Sequence, residues 1–134
     1  MMKYCADTWY MLALFAQDAT AIDLMSECRL SKGSLIIPLT VFAETSKKLM
    51  QKGVLLSTVL DFLDEAQHSN SVMICYPDKR LAIEAARISL TYAVPMLDAF
   101  VAATCKLTAC HLLLSADSDF QILVKKKYLK TRSW

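Results

Sequence analysis

Glycine and proline are scarce, at two and three among 134 residues, which excludes collagen-like and low-complexity chains and leaves few points where a helix must break. A long apolar run is also missing. Asp18, Asp23 and Glu27 interrupt the richest early stretch, well short of the ~20 residues a membrane helix needs. The first residues lack the pattern of a secretory leader, since Lys3 is followed by Asp7 before any apolar region develops and no small-residue cleavage site comes after it. A cytoplasmic protein without membrane contact is therefore expected. Paired cysteines are the last absence: Cys5, Cys28, Cys75, Cys105 and Cys110 contain no CxxC motif. An odd count without an export signal reads as reduced thiols that serve as small core hydrophobes. Cys105 with Cys110-His111 has the wrong spacing for a zinc knuckle, and no second pair exists. His68 reads as a surface residue near a helix end.

What is abundant is apolar side chain, 55% of the residues. A chain of this length fits one domain, 1–134, and buries about two-thirds of the surface its unfolded form would expose. The net charge of +2 hides an asymmetry, because the C-terminal end, 125–134, carries Lys125, Lys126, Lys127, Lys130 and Arg132 without an acid. Without those five, ten basic residues face thirteen acidic ones. Such an end could attract a phosphate backbone through Lys125, Lys126 and Lys127, or simply be solvated.

Strand and helix patterns alternate. Tyr4 to Ala6 reads as a strand that runs into Asp7-Thr8, and Trp9, Leu12, Ala13 and Ala16 then mark one face of a helix. A second helix is expected over Ala19 to Leu30, closed by Gly33. A buried strand at Leu35-Ile36-Ile37 and a helix from Pro38 that carries Glu44 come next. Leu55, Val59, Phe62 and Ala66 mark another helix face, Val72 to Tyr76 another strand. Leu81, Ala85, Ile88 and Tyr92 form the apolar stripe of a helix whose Lys79, Arg80, Glu84 and Arg87 face solvent. Pro95 opens a helix with Asp98, Val101, Ala102, Cys105 and Ala109 on one face. His111 to Ser115 reads as a core strand, Asp117 to Val124 as a short helix, and Tyr128-Leu129 as an edge strand. Strands alternating with helices imply a three-layer α/β domain around a mainly parallel sheet.

In open parallel sheets the functional crevice lies beyond the carboxyl ends of the strands. Asp7 and Asp117 fall at that end, and Asp98 opens a helix expected to pack on the sheet. Converging carboxylates repel and resist ionisation unless a cation neutralises them. Hard oxygen donors select Mg²⁺ or Mn²⁺. Each acid also has a purely structural role open to it. Asp7 suits a helix N-cap, Asp98 a first-turn acid that complements the helix dipole, Glu44 an i, i+4 pair with Lys48, and Asp117 and Asp119 turns or caps.

In combination the residues resemble a known family. Asp7-Thr8 after an N-terminal strand, Glu44 within Pro38-Leu-Thr-Val-Phe-Ala-Glu-Thr, Asp98-Ala-Phe-Val-Ala-Ala-Thr, and Ser115-Ala-Asp-Ser-Asp-Phe120 look like the four acidic motifs of PIN domains, in order and spacing. Cys75-Tyr-Pro-Asp followed by Leu81-Ala-Ile-Glu-Ala-Ala-Arg87 is similar to the strand and helix that precede the third motif in the VapC-type toxin branch. By that resemblance Asp7 and Asp98 are the core Mg²⁺ ligands and Glu44 binds directly or through water. Asp117 completes the quartet, with Asp119 an alternative fourth. Thr8 and Ser115 match positions of small hydroxyl residues that orient a carboxylate or water. Trp9 is bulkier than the residue usual at its place, and Pro95 stands three residues before Asp98 rather than next to it.

The function implied is Mg²⁺- or Mn²⁺-dependent cleavage of RNA. The metal polarises a phosphate oxygen, activates water and stabilises the leaving 3′-oxygen, and a free carboxylate could orient the attacking water. The resemblance further implies a toxin that an antitoxin protein neutralises, and a homodimer. The rivals are an RNA-processing PIN nuclease with no antitoxin, a catalytically silent RNA-binding or interaction module, and a receiver-like signalling domain. Against the last, Asp7 stands alone after the first strand and Cys75-Tyr76 ends the middle one.

Overall fold

A computed structural model describes residues 1–134. Five strands, β1 (Lys3–Ala6), β2 (Ser34–Pro38), β3 (Val72–Cys75), β4 (Leu112–Leu114) and β5 (Thr131–Arg132), form one sheet in the order β3-β2-β1-β4-β5. Every pairing is parallel, with Cys5 opposite Ile36 on one side and Leu113 on the other. Parallel neighbours need crossover connections, and seven helices supply them: α1 (Thr8–Phe15), α2 (Ala19–Leu30), α3 (Leu39–Gln51), α4 (Leu56–Gln67), α5 (Lys79–Tyr92), α6 (Met96–Leu107) and α7 (Gln121–Lys125).

Both faces of the sheet are covered, as the apolar strands require. Leu35, Ile37 and Val72 line a groove with Met11, Phe15, Met25 and Phe62 from α1, α2 and α4. On the opposite face the Cys5 thiol points at the Val101 carbonyl of α6, 4.0 Å away. No single helix is long and apolar enough to cross a membrane.

The helix boundaries have local causes. Asp18 caps α2 by accepting from Ala21 N at 3.0 Å, and Asp78 caps α5 by accepting from Leu81 N at 2.8 Å, each such cap contributing about 1 kcal/mol. The stripe of α5 is the predicted one, with Leu81, Ala85 and Ile88 buried. Between α2 and β2, Gly33 passes so close to Met2 that a Cβ would stand 2.6 Å from its carbonyl oxygen; no other residue fits without moving the start of β1.

Five expectations are corrected. In α1 the buried residues are Thr8, Tyr10 and Met11, while Trp9 is 47% exposed. This helix of eight residues starts directly on Asp7, so β1 fixes its rotation, and Tyr10 donates to Ala21 O at 2.8 Å. In α4 Val59 is buried and Phe62 and Ala66 pack against the core as expected, joined by Leu63, but Leu55 precedes the helix and is exposed. Asp117 to Val124 is not one helix: Asp117 caps a 3-10 turn, Ser118–Phe120, before α7 begins. The edge strand is Thr131–Arg132 instead of Tyr128-Leu129. Lys127 turns the chain with φ 59, Tyr128 donates to Glu84 Oε1 at 3.0 Å, and Leu129 buries itself. The two residues the sequence offered as strand thus anchor the chain to α5 and the core. Ala109 likewise lies beyond the end of α6, at φ 56.

Candidate metal centre

The strand order reverses its sense between β1 and β4, and a crevice opens beyond the carboxyl ends of the strands at such a switch. Asp7 leaves β1 there, Ser115 and Asp117 leave β4, and α6 brings Asp98 to the same rim. The backbone of Asp7 extends the β1–β4 ladder by one bond, from its N–H to Leu114 O at 3.2 Å. This bond pins the residue.

Asp7 occupies the N-cap position of α1, yet its side chain caps nothing. Instead its Oδ2 accepts from Ser115 Oγ at 2.7 Å, and Ser115 Oγ accepts from Asp117 N at 3.0 Å. Ser115 therefore ties the first carboxylate to the loop that carries the last. With 2% of its surface exposed, Asp7 has its pKa raised to about 6 by burial. The Ser115 bond and the Thr8 N–H act against that rise, and the charges of Asp117 and Glu44 add to it. Thr8 is buried at the head of α1.

Asp98 stands in the first turn of α6 and is 8% exposed. Its carboxylate oxygen lies within 4.8 Å of those of Asp117 and Asp119, and theirs within 4.8 Å of each other. Burial, then the charges of Asp117 and Asp7, raise its pKa to about 7, and a hydrogen bond with the Asp119 carboxyl helps hold the proton. Asp117 also caps its 3-10 turn, with Oδ1 accepting from Asp119 N at 2.9 Å.

Glu44 stands outside this trio. It faces Lys48 Nζ at 3.9 Å, the pair its spacing suggested, and its charge still reaches Asp7. Lys48 also sits 5.7 Å from the centroid of the exposed Trp9 ring, which places an aromatic face and a cation beside the acids. The ion pairs of the protein are Lys48–Glu44, Arg87–Glu84 and Arg132–Glu27. None neutralises Asp7, Asp98, Asp117 or Asp119.

Three aspartates within 4.8 Å of one another, with Asp7 tied to them through Ser115 and through its charge, lack a counter-charge and fit a hard divalent cation. The donor set is all oxygen and holds no thiol or imidazole, the chemistry of a site for a hard cation.

A PIN domain family model matches residues 4–126. The chain belongs to the PIN domain family. Solved structures with the same fold include the VapBC2 complex of Rickettsia felis bound to a DNA fragment from its promoter. That likeness has a TM-score of 0.78 at 13% identity and covers 99% of each chain. VapC20 of Mycobacterium tuberculosis, a toxin that cleaves the sarcin-ricin loop, matches with a TM-score of 0.69 at 16% identity over 88% of this chain and 92% of that one. VapBC-1 of nontypeable Haemophilus influenzae gives 0.69 at 16% identity, over 99% and 98%. No curated protein sequence matches the chain.

With the family settled, the receiver-like alternative falls. Within this PIN domain Asp7, Asp98, Asp117 and Asp119 share one rim, with Glu44 at its margin. Of the basic C-terminal end, Arg132 returns beside Ser115 through its backbone, but Lys127 and Lys130 do not join the acids. Lys127 and Lys130 line a separate cavity with Cys110 and His111, at the amino end of β4, because the connection between two parallel strands must return to the starting edge. The sequence offered Asp119 only as an alternative to Asp117; that both lie beside Asp98 depends on the 3-10 turn that starts at Asp117.

Proposed function

We propose that the protein is a Mg²⁺- or Mn²⁺-dependent endoribonuclease, the toxin of a toxin-antitoxin pair. The observation that carries the reading is the aspartate cluster at the sheet's switch point, built with no cation of its own. Bound there, the metal supplies Lewis-acid polarisation of a phosphate oxygen and neutralises charge on the leaving group. Asp7, Asp98 and Asp117 hold it, with Asp119 or Glu44 completing the set. Ser115 keeps Asp7 and the Asp117 loop in register, and a carboxylate left free orients water for in-line attack. Trp9 and Lys48 at the margin present a stacking surface and a charge to a nucleotide flanking the scissile bond, and such stacking contributes about 1–3 kcal/mol per base.

An antitoxin has two places to act. A basic segment can neutralise the acids, and an amphipathic helix fits the apolar groove of about 470 Å³ between α1, α2 and α4. Leu55 just before α4, Leu56 and Leu60 on it, and Leu90, Met96 and Leu97 around the α5–α6 junction stay largely exposed, which suits a homodimer. Incubation of the purified protein with structured RNA tests the central claim. Fragments are expected with Mn²⁺ and none with EDTA or in Asp98→Asn. RNA bound but left intact in Mn²⁺ would identify a silent module instead.

A further inference from the structure

At the end of the sheet opposite the acids, helix α6 closes in a Schellman turn. Ala109 takes the left-handed conformation (φ 56), its N–H donates to Lys106 O at 3.1 Å, and the N–H of Cys110 donates to Cys105 O at 2.9 Å. This motif sets the side chains three residues before the cap and two after it against each other, a contact that is ordinarily hydrophobic. Here both side chains are thiols, and both line one cavity. Cys105 is buried. Cys110 is partly exposed and opens onto a cavity of about 770 Å³ whose other walls include Lys106, His111, Lys127 and Lys130.

The surroundings make the two sulfurs unequal. Lys3 Nζ is held on Thr108 O at 3.1 Å, and Thr108 Oγ1 lies 3.1 Å from Cys110 Sγ. The neighbouring Cys105 and Cys5 thiols, with Thr108 and the nearby Lys3 ammonium, draw the Cys110 thiol below its ordinary range against the burial that raises it. Donating to Cys110 keeps Cys105 protonated. A thiol of lowered pKa on an open cationic wall beside a buried thiol is the arrangement of an attacking and a resolving cysteine.

We propose that Cys105 and Cys110 form a reversible intrachain disulfide with peroxides as the oxidant, Cys110 attacking and Cys105 resolving. The Cys110 thiolate attacks one peroxide oxygen, an S–O bond forms, the O–O bond breaks, and hydroxide leaves to take a proton as water. Cys105 then attacks the Cys110 sulfenic sulfur, the S–S bond forms, the S–O bond breaks, and a second water leaves. Two thiols lose two electrons and two protons in all, and one hydrogen peroxide becomes two waters. The bridge joins the end of α6, which carries Asp98, to the entry of β4, which leads to Asp117.

The test treats the full chain with equimolar hydrogen peroxide, alkylates the remaining thiols after unfolding, and maps tryptic peptides without reduction. Cleavage after Lys106 separates the two cysteines, so their bridge appears as two peptides joined by a disulfide, and dithiothreitol should release them. Cys110→Ser should leave Cys105 reduced. Cys105→Ala should leave a Cys110 sulfenic acid that dimedone captures. Cys28, buried with no thiol beside it, should remain alkylatable throughout. If the wild-type map shows both thiols alkylated, or a bridge that uses Cys5 or Cys75, the pairing is wrong whatever the variants do.

Discussion

Replacing Asp98 with Asn keeps the shape of the side chain and removes its charge, and the result depends on pH and on metal in opposite directions. In the metal-free protein the carboxyl titrates near 7 rather than at its ordinary 3.8. A raised folded-state value means that its favourable contribution is complete below the unfolded pKa and is lost as pH climbs through 7. At about 1.4 kcal/mol per pH unit, the elevation bounds the strain of ionising Asp98 at about 4 kcal/mol. The rim is open to water on one side, the acids share their protons, and Asn gives up a favourable helix-dipole contact of about 0.3–1 kcal/mol. A net gain of about 2 kcal/mol at pH 8 remains, which for a domain of this size raises Tm by about 6 °C. The gain should vanish at pH 4, where wild-type Asp98 is largely protonated when folded. With Mn²⁺ at a hundred times its Kd the sign reverses, because the wild type alone gains about 2.7 kcal/mol from binding. Thermal melts by circular dichroism at pH 4 and pH 8, in EDTA and in Mn²⁺, read all four corners. A variant that melts below the wild type in EDTA at pH 8 would mean that Asp98 serves the helix rather than a metal, and the reasoning would be refuted.

Three further outcomes follow from the same geometry. Ser115→Ala removes the bond that lowers the pKa of Asp7, so calorimetry should show Mn²⁺ affinity down about 10–100-fold and the Asp7 titration moved above 6 by NMR; unchanged values would make Ser115 incidental. Asp119→Asn should weaken Mn²⁺ binding about tenfold and lower the pKa of Asp98, whereas unaltered affinity would leave Asp117 as the fourth ligand. Exchanging Lys125, Lys126 and Lys127 together for Gln should flatten the salt dependence of binding to a long RNA by up to about three counterions. Cleavage of a short oligonucleotide should hold, because Lys127 lines a cavity at the amino end of β4, the end of the strand away from the acids, and screening acts over ~8 Å. An identical salt slope in the variant would remove the basic end from RNA binding.

Much of this molecule is legible from local rules. Buried parallel strands read as short apolar runs because both faces are covered, and Leu35 to Ile37 and Leu112 to Leu114 show it. The stripe of α5 follows from a period of 3.6, and an acid at the end of each relevant strand points to the carboxyl rim. Those are properties of spacing, which the chain carries with it. Other features have no local signal. The face that α1 buries was decided by its attachment to β1 and by the contact of Tyr10 with α2. The last strand moved from Tyr128-Leu129 to Thr131–Arg132 because Glu84, distant in sequence, offered Tyr128 a partner. Asp7 looked like an N-cap, and only the arrival of Ser115 from the neighbouring strand gave its carboxylate another bond. Cys105 and Cys110 looked like packing residues until a helix end brought their sulfurs together beside Lys3. The sequence by itself determined the class of fold and the acids at the rim, since periodicity and residue chemistry are local. Which carboxylates approach within 4.8 Å, what their protons and hydrogen bonds do, and that no basic side chain neutralises them were decided only when strands far apart in sequence came side by side.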